Sequence, residues 1–210
     1  MNFLAHLYLS GNDEEIIIGN FIADMVKGLQ INGYSPGIVK GIRLHRKIDE
    51  FTDSHHIVKK SKSRLRGRYR HYSGVVVDMY YDHFLAKNWT DYSGHKLDDY
   101  VERAYGILDD NHDILPGRVQ YILPFMIEHN WLVNYADPGK LSMNFGGMAR
   151  RTPFESGMET AVDELLDYYE EFGAEFSSFF PELVRYVEKQ GVSHHHHGPP
   201  VSSLLSDTSQ

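Results

Sequence analysis

Three histidines and four aspartates stand where this chain's helices ought to be apolar: His6, Asp24, His45, Asp49, Asp78, Asp82 and His83. His45 and Asp49 lie four apart, as do Asp78 and Asp82, and positions four apart share one helical face. That face is otherwise apolar, with Ile38, Ile42 and Ile48 around the first pair and Val75, Met79 and Leu85 around the second. A charge buried there is costly unless something compensates it, and a divalent ion is one such compensation. Imidazole mixed with carboxylate suits manganese, iron or zinc better than calcium, and several carboxylates favour Mn²⁺ or Mg²⁺. A helical bundle builds such a centre when each helix contributes one or two ligands. The plainer alternative is a set of hydrogen-bonded core histidines, with aspartates acting as helix caps or halves of ion pairs; Asp53 has the same two readings. Recurrence of one anomaly in four separate segments sets the ion level with that alternative.

The elements that would position these groups are helical almost throughout. Met1 to Ser10 predicts a short apolar helix carrying His6. Asn12 or Asp13 caps a second, running to about Lys27 with a stripe of Ile18, Phe21, Ile22, Met25 and Leu29. Ser35-Pro36 opens a third, with a capping residue ahead of a first-turn proline. Thr52 or Asp53 is the expected cap of a basic helix reaching about His71, and Ser73 of another reaching about Lys87. Further helices are expected near 95–110, 117–135 and 138–150, and a long one over about 157–189 with Thr152 or Ser156 upstream. No strand pattern of useful length and no internal repeat occurs. The expectation is an all-α, single-domain helical bundle over residues 1–190. A His/Pro/Ser-rich disordered tail, 191–210, is set aside from the site.

Composition narrows the function classes. With 210 residues and 41% hydrophobic content the chain can bury one sizeable core. Its net charge of −8 argues against non-specific nucleic-acid binding. The absence of cysteine removes disulfides, thiolate ligands and a cysteine nucleophile, and fits a reducing compartment. Met1 to Ser10 lacks the basic start and long apolar core of a signal peptide, and no run is long enough to span a bilayer, so a cytoplasmic protein is expected.

Two further groups carry charge. Lys59, Lys60, Lys62, Arg64, Arg66, Arg68 and Arg70 place seven cations between 59 and 70 with no acid among them. This is either a solvated helix face or a docking surface for an acidic partner; one aromatic, Tyr69, does not make a base-stacking platform. Gly146-Gly147-Met148-Ala149-Arg150-Arg151 reads as a helix end or turn with two arginines beside it, a phosphate-holding group or a plain surface turn. Its glycines form neither a dinucleotide fingerprint nor a P-loop.

Taken together, several stretches resemble the acyl carrier protein phosphodiesterases: Met1-Asn2-Phe3-Leu4-Ala5-His6-Leu7, Gly19-Asn20-Phe21-Ile22-Ala23-Asp24, His45-Arg46-Lys47-Ile48-Asp49 with Thr52-Asp53, Asp82-His83-Phe84-Leu85, and Gly147-Met148-Ala149-Arg150-Arg151. The similarity runs in order from residue 1 to about 188. It implies hydrolysis of the 4′-phosphopantetheine arm from holo acyl carrier protein, dependence on a divalent ion (Mn²⁺ first, Mg²⁺ or Fe²⁺ next), and an all-helical architecture related to the HD phosphohydrolases. The adjacent pair here is Asp82-His83, the reverse of the HD order. On this resemblance His6, Asp24, His45, Asp78 and Asp82 form the ligand pool. Asp49 would orient a ligating histidine, His83 would serve as general acid, and Arg46, Arg150 and Arg151 would hold the phosphate. The basic 59–70 segment acquires a partner, because acyl carrier proteins are small and acidic. The alternatives are a metal phosphohydrolase of a nucleotide or other small phosphoester, and a non-catalytic helical module that binds an acidic partner.

Overall fold

The computed structural model describes residues 1–150 and 152–192, so Arg151 and the histidine run lie outside the described residues. Among the described residues there are eleven α-helices and no strand. They are α1 (Phe3–Tyr8), α2 (Glu14–Ile22), α3 (Pro36–Ser54), α4 (His56–Tyr69), α5 (Ser73–Lys87), α6 (Leu97–Asp110), α7 (Gly117–Glu128), α8 (Trp131–Asn134), α9 (Pro138–Ala149), α10 (Ala161–Asp167) and α11 (Tyr169–Glu188). None of the described helices is long and apolar enough to cross a membrane.

Local chemistry explains most boundaries, including those that depart from the sequence reading. The Asp13 carboxylate accepts from Ile16 N–H at 3.1 Å and opens α2. That helix stops at Ile22 instead of Lys27, and a 3₁₀ turn over Ala23–Met25 redirects the chain. Ser35 accepts from Ile38 N–H at 3.4 Å ahead of Pro36, starting α3. Neither Thr52 nor Asp53 caps α4: the Thr52 hydroxyl donates back to the Ile48 carbonyl at 2.7 Å, and His55 is the cap, its Nδ1 accepting from Ile57 N–H at 3.3 Å. Ser73 is the first residue of α5 and makes no side-chain cap. The expected 117–135 helix divides at Asn130, whose φ of 45° ends the run. The expected 157–189 helix divides at Tyr168 into α10 and α11.

One core joins these elements. Phe172, Phe176, Phe179 and Phe180 form a buried stripe on α11 at helical spacing, against Tyr80, Tyr81 and Phe84 of α5. The closest helix contact lies elsewhere, between α2 and α3. A Cβ on Gly19 would overlap the Ile38 carbonyl, and one on Gly41 the Ile16 carbonyl. With glycine at both positions the two backbones touch, which brings Asn20 of α2 within reach of α3.

Candidate metal centre

His6 of α1 and His45 of α3 meet over Asn20. Their rings are parallel, with centroids 3.9 Å apart. His6 Nδ1 is 2.9 Å from the Asn20 side-chain oxygen, and His45 Nδ1 is 2.9 Å from the Asn20 main-chain carbonyl. The Asn20 amide is itself fixed, donating to the His6 carbonyl and to Ser10 Oγ, each at 2.9 Å. Both acceptors require a proton on Nδ1, so in the neutral form of either ring the lone pair lies on Nε2. Both Nε2 atoms face acids. His6 Nε2 is 3.2 Å from Asp49 Oδ1; His45 Nε2 is 3.1 Å from Asp49 Oδ2 and 3.2 Å from Asp24 Oδ1.

The electrostatics are strained in the way an ion relieves. Burial lowers His45, but the Asp24 and Asp49 carboxylates outweigh it and hold the imidazole at about 9. Burial and the neighbouring His45 push His6 down to about 4. Near neutral pH the pair therefore carries one positive charge, on His45, and His6 alone turns a lone pair toward a carboxylate. Both Nε2 atoms are buried and neither makes an aligned hydrogen bond, despite the short distances. Donor atoms about 3 Å apart are spaced as ligands about 2.1 Å from a shared ion would be. His6, His45 and Asp49 each offer one atom within 4.8 Å of the others, a set compatible with a divalent ion. Asp49 is held well below the usual carboxylate range: burial acts upward, and His45, His6 and the Met1 α-amine override it. The 3₁₀ turn that ends α2 brings in Asp24, lowered chiefly by its contact with His45.

Other candidates fall around this group rather than in it. Asp78 of α5 is half-buried and 3.1 Å from the Met1 α-amine, which is also 3.7 Å from Asp49. Asp82 turns the other way: its carboxylate accepts from the N–H groups of Asn2, Leu4 and Ala5 at 3.1, 2.8 and 3.4 Å and anchors the start of α1. Burial pushes it up to about 7 against those donors and the α-amine. Both His83 nitrogens are occupied, Nδ1 by the Tyr135 carbonyl and Nε2 by the Tyr169 hydroxyl, each at 2.8 Å. Burial lowers its pKa. Arg46 and Arg150 are exposed, and Arg150 ends α9. Asn20 stands out in the sequence only as a polar residue inside the apolar run of α2. The Asp49 carboxylate lies 3.2 Å from His6 Nε2 and 3.1 Å from His45 Nε2, one of the three groups that could hold an ion.

The basic segment is partly neutralised from within. Arg64 forms a two-pronged pair with Glu175, both contacts at 2.8 Å, and Arg68 pairs with Glu164 at 2.6 Å. Lys60 reaches Glu175 at 3.3 Å and Lys62 reaches Asp53 at 2.5 Å. Lys59, Lys62, Arg66, Arg70, His71 and Ser73 line a cavity of about 680 Å³ between α4 and the start of α5.

Residues 1–183 match the family model described as acyl carrier protein phosphodiesterase. The chain belongs to the acyl carrier protein phosphodiesterase family. A Photorhabdus laumondii subsp. laumondii protein of that name is 32% identical over 90% of this chain and 96% of its own length. Its namesake in Yersinia enterocolitica is 30% identical over 91% of this chain and all of its own, and the Escherichia coli one is 29% identical over the same shares. No solved structure matches the chain. In this chain the site just described rests on Asn20 and the two histidines that it orients.

Proposed function

We propose that residues 1–190 form one catalytic unit, a metal-dependent phosphodiesterase that frees 4′-phosphopantetheine from holo acyl carrier protein and leaves the apo carrier. The observation that carries the metal part is the pair of buried Nε2 atoms that face Asp49 and Asp24 without an aligned hydrogen bond. His6, His45, Asp49 and Asp24 would hold the ion, with Mn²⁺ favoured by the mixed nitrogen and oxygen donors. Bound there, it supplies Lewis acidity to the phosphoryl oxygens and acidifies water at neutral pH.

The remaining steps belong to the chain's own groups. Asn20 keeps both imidazoles in the tautomer that offers Nε2. Asp78, which shares the Met1 α-amine with Asp49, takes the proton of the attacking water. The water oxygen bonds to phosphorus, the bond from phosphorus to the carrier serine Oγ breaks, and that oxygen takes a proton from solvent. His83 is left out of proton transfer because both its nitrogens are committed. The basic cavity lies one helical turn beyond the centre along both flanking helices, through Asp53 of α3 and Gly74 of α5. Its unneutralised cations suit an acidic carrier and would set association rate and salt dependence.

The test is intact-mass analysis of holo carrier incubated with the protein and Mn²⁺. Loss of the arm, blocked by chelator and slowed by high salt, is the expected result. Undiminished turnover in excess chelator would overturn the metal role. Turnover of small diesters alone would favour the small-phosphoester enzyme.

A further inference from the structure

A second cavity, about 700 Å³, opens at the other end of α3. Its walls are Met25 and Val26 after the Asp24 turn, Tyr34 and Ile38 at the entry to α3, and Ile114 and Pro116 ahead of α7. Gln30 and Ser35 add polar groups. Glu15 is the one charged residue in the lining, and it accepts from the Ser35 hydroxyl at 2.6 Å. Leu29 (85% exposed) and Ile114 (45% exposed) present apolar side chains beside it.

The position relates to the metal centre by helix arithmetic. Ile38 and His45 are seven residues apart on α3, on the same face and roughly 10 Å apart along the axis. One wall of the cavity is Met25, the residue after Asp24, and the Asp24 carboxylate lies 3.2 Å from His45. The candidate ligands thus lie between two cavities of opposite character, one strongly basic and one nearly uncharged. An acidic protein surface fits the first and is poorly served by the second. An uncharged chain of apolar segments and amides fits the second: methyl groups against Met25, Val26 and Ile38, amides against Gln30, Ser35 and Tyr34. The volume falls in the range of small-molecule sites. A chain of roughly twelve atoms beyond the phosphate extends about 15 Å at standard bond lengths, enough to enter from the centre.

We infer that this cavity is the subsite for the organic arm that stays on the phosphate, which fixes the substrate's direction with carrier toward the α4–α5 end and arm toward the α3–α7 end. The inference rests on the function proposed above and adds a binding site to it.

Two glycines make the test clean. Gly33 and Gly117 line the cavity, and neither has a neighbour within 4 Å of where a Cβ would stand or a positive φ. Gly33→Trp and Gly117→Trp should fill the cavity from separate walls; Gly106→Trp, on α6 outside it and equally open, is the control. Free pantetheine, which lacks the phosphate, is titrated calorimetrically into each protein, and circular dichroism checks folding. The expected result is binding to the unsubstituted protein and to Gly106→Trp, weakened at least about tenfold in both cavity variants. Equal affinity across all four, or no binding to the unsubstituted protein, would overturn the subsite. The carrier mass assay runs alongside. Pantetheine binding that the cavity variants abolish, with no arm released from holo carrier, supports the subsite and defeats the parent reading. Arm release with pantetheine affinity unchanged by the variants defeats the subsite alone.

Discussion

The imidazoles of His6 and His45 stack 3.9 Å apart and are both oriented by Asn20, one through its side-chain oxygen and one through its main-chain carbonyl. One residue of α2 therefore sets the tautomer of two histidines on two other helices.

Asn20→Leu tests that arrangement. The variant keeps the main-chain acceptor for His45 but leaves His6 Nδ1 with no acceptor. Mn²⁺ affinity should fall about 10- to 100-fold, as when a group orienting a ligand is lost. Calorimetric titration of Mn²⁺ measures it, and an unchanged dissociation constant would remove Asn20 from the centre.

Asp49 and Asp82 should separate ion binding from folding. Asp49→Asn should lower Mn²⁺ affinity by at least about a hundredfold with little change in helical content. Asp82→Asn replaces one acceptor oxygen facing the α1 N–H groups and should cost about 2 kcal/mol, read from the urea midpoint. The reverse pattern, with Asp82→Asn fully stable yet unable to bind Mn²⁺, would return Asp82 to the ligands.

His83→Leu should act on stability alone. It strands the Tyr135 carbonyl and the Tyr169 hydroxyl, a loss of about 1–3 kcal/mol. Turnover measured well below the melting temperature should match the unsubstituted protein. A drop in kcat of several decades at full folding would reinstate the histidine as general acid.

Glu175 gives a pH signature. Burial raises its pKa, but Arg64, Ser61 and Lys60 together bring it below the ordinary 4.5 of a glutamate. A depressed carboxyl binds fewer protons folded than unfolded, so its contribution is present above about pH 4.5 and is lost as pH falls through the folded value. Glu175→Gln should cost about 2–3 kcal/mol at pH 7, because Arg64 loses its charged partner. The gap to the unsubstituted protein should narrow on acidification below pH 4.5. A constant gap across that window would show that the pair does not titrate with unfolding.

The sequence exposed the all-α architecture, the Asp13 and Ser35 caps and the His45–Asp49 face, because each depends on neighbours within a turn or two. What stayed hidden was set by contacts distant along the chain. Asp78 and Asp82 look alike on one face of α5, yet Asp82 is turned to the N–H groups of Asn2, Leu4 and Ala5. His83 is bound by Tyr135 and Tyr169 from other elements. In the basic run, spacing showed seven cations, but the acids that neutralise Arg64 and Arg68 lie about a hundred residues further on. Periodicity does not report a stop such as Asn130 or Tyr168 when the apolar pattern continues through it.

The Asp82 anchor also constrains the order of assembly during synthesis. His6, Asp24, His45 and Asp49 are all translated before α5. A nascent chain that has emerged only as far as α4 holds these four ligand candidates but lacks the carboxylate that pins the start of α1. Such an intermediate should exchange Mn²⁺ quickly, and retention should begin only once Asp82 has left the ribosome.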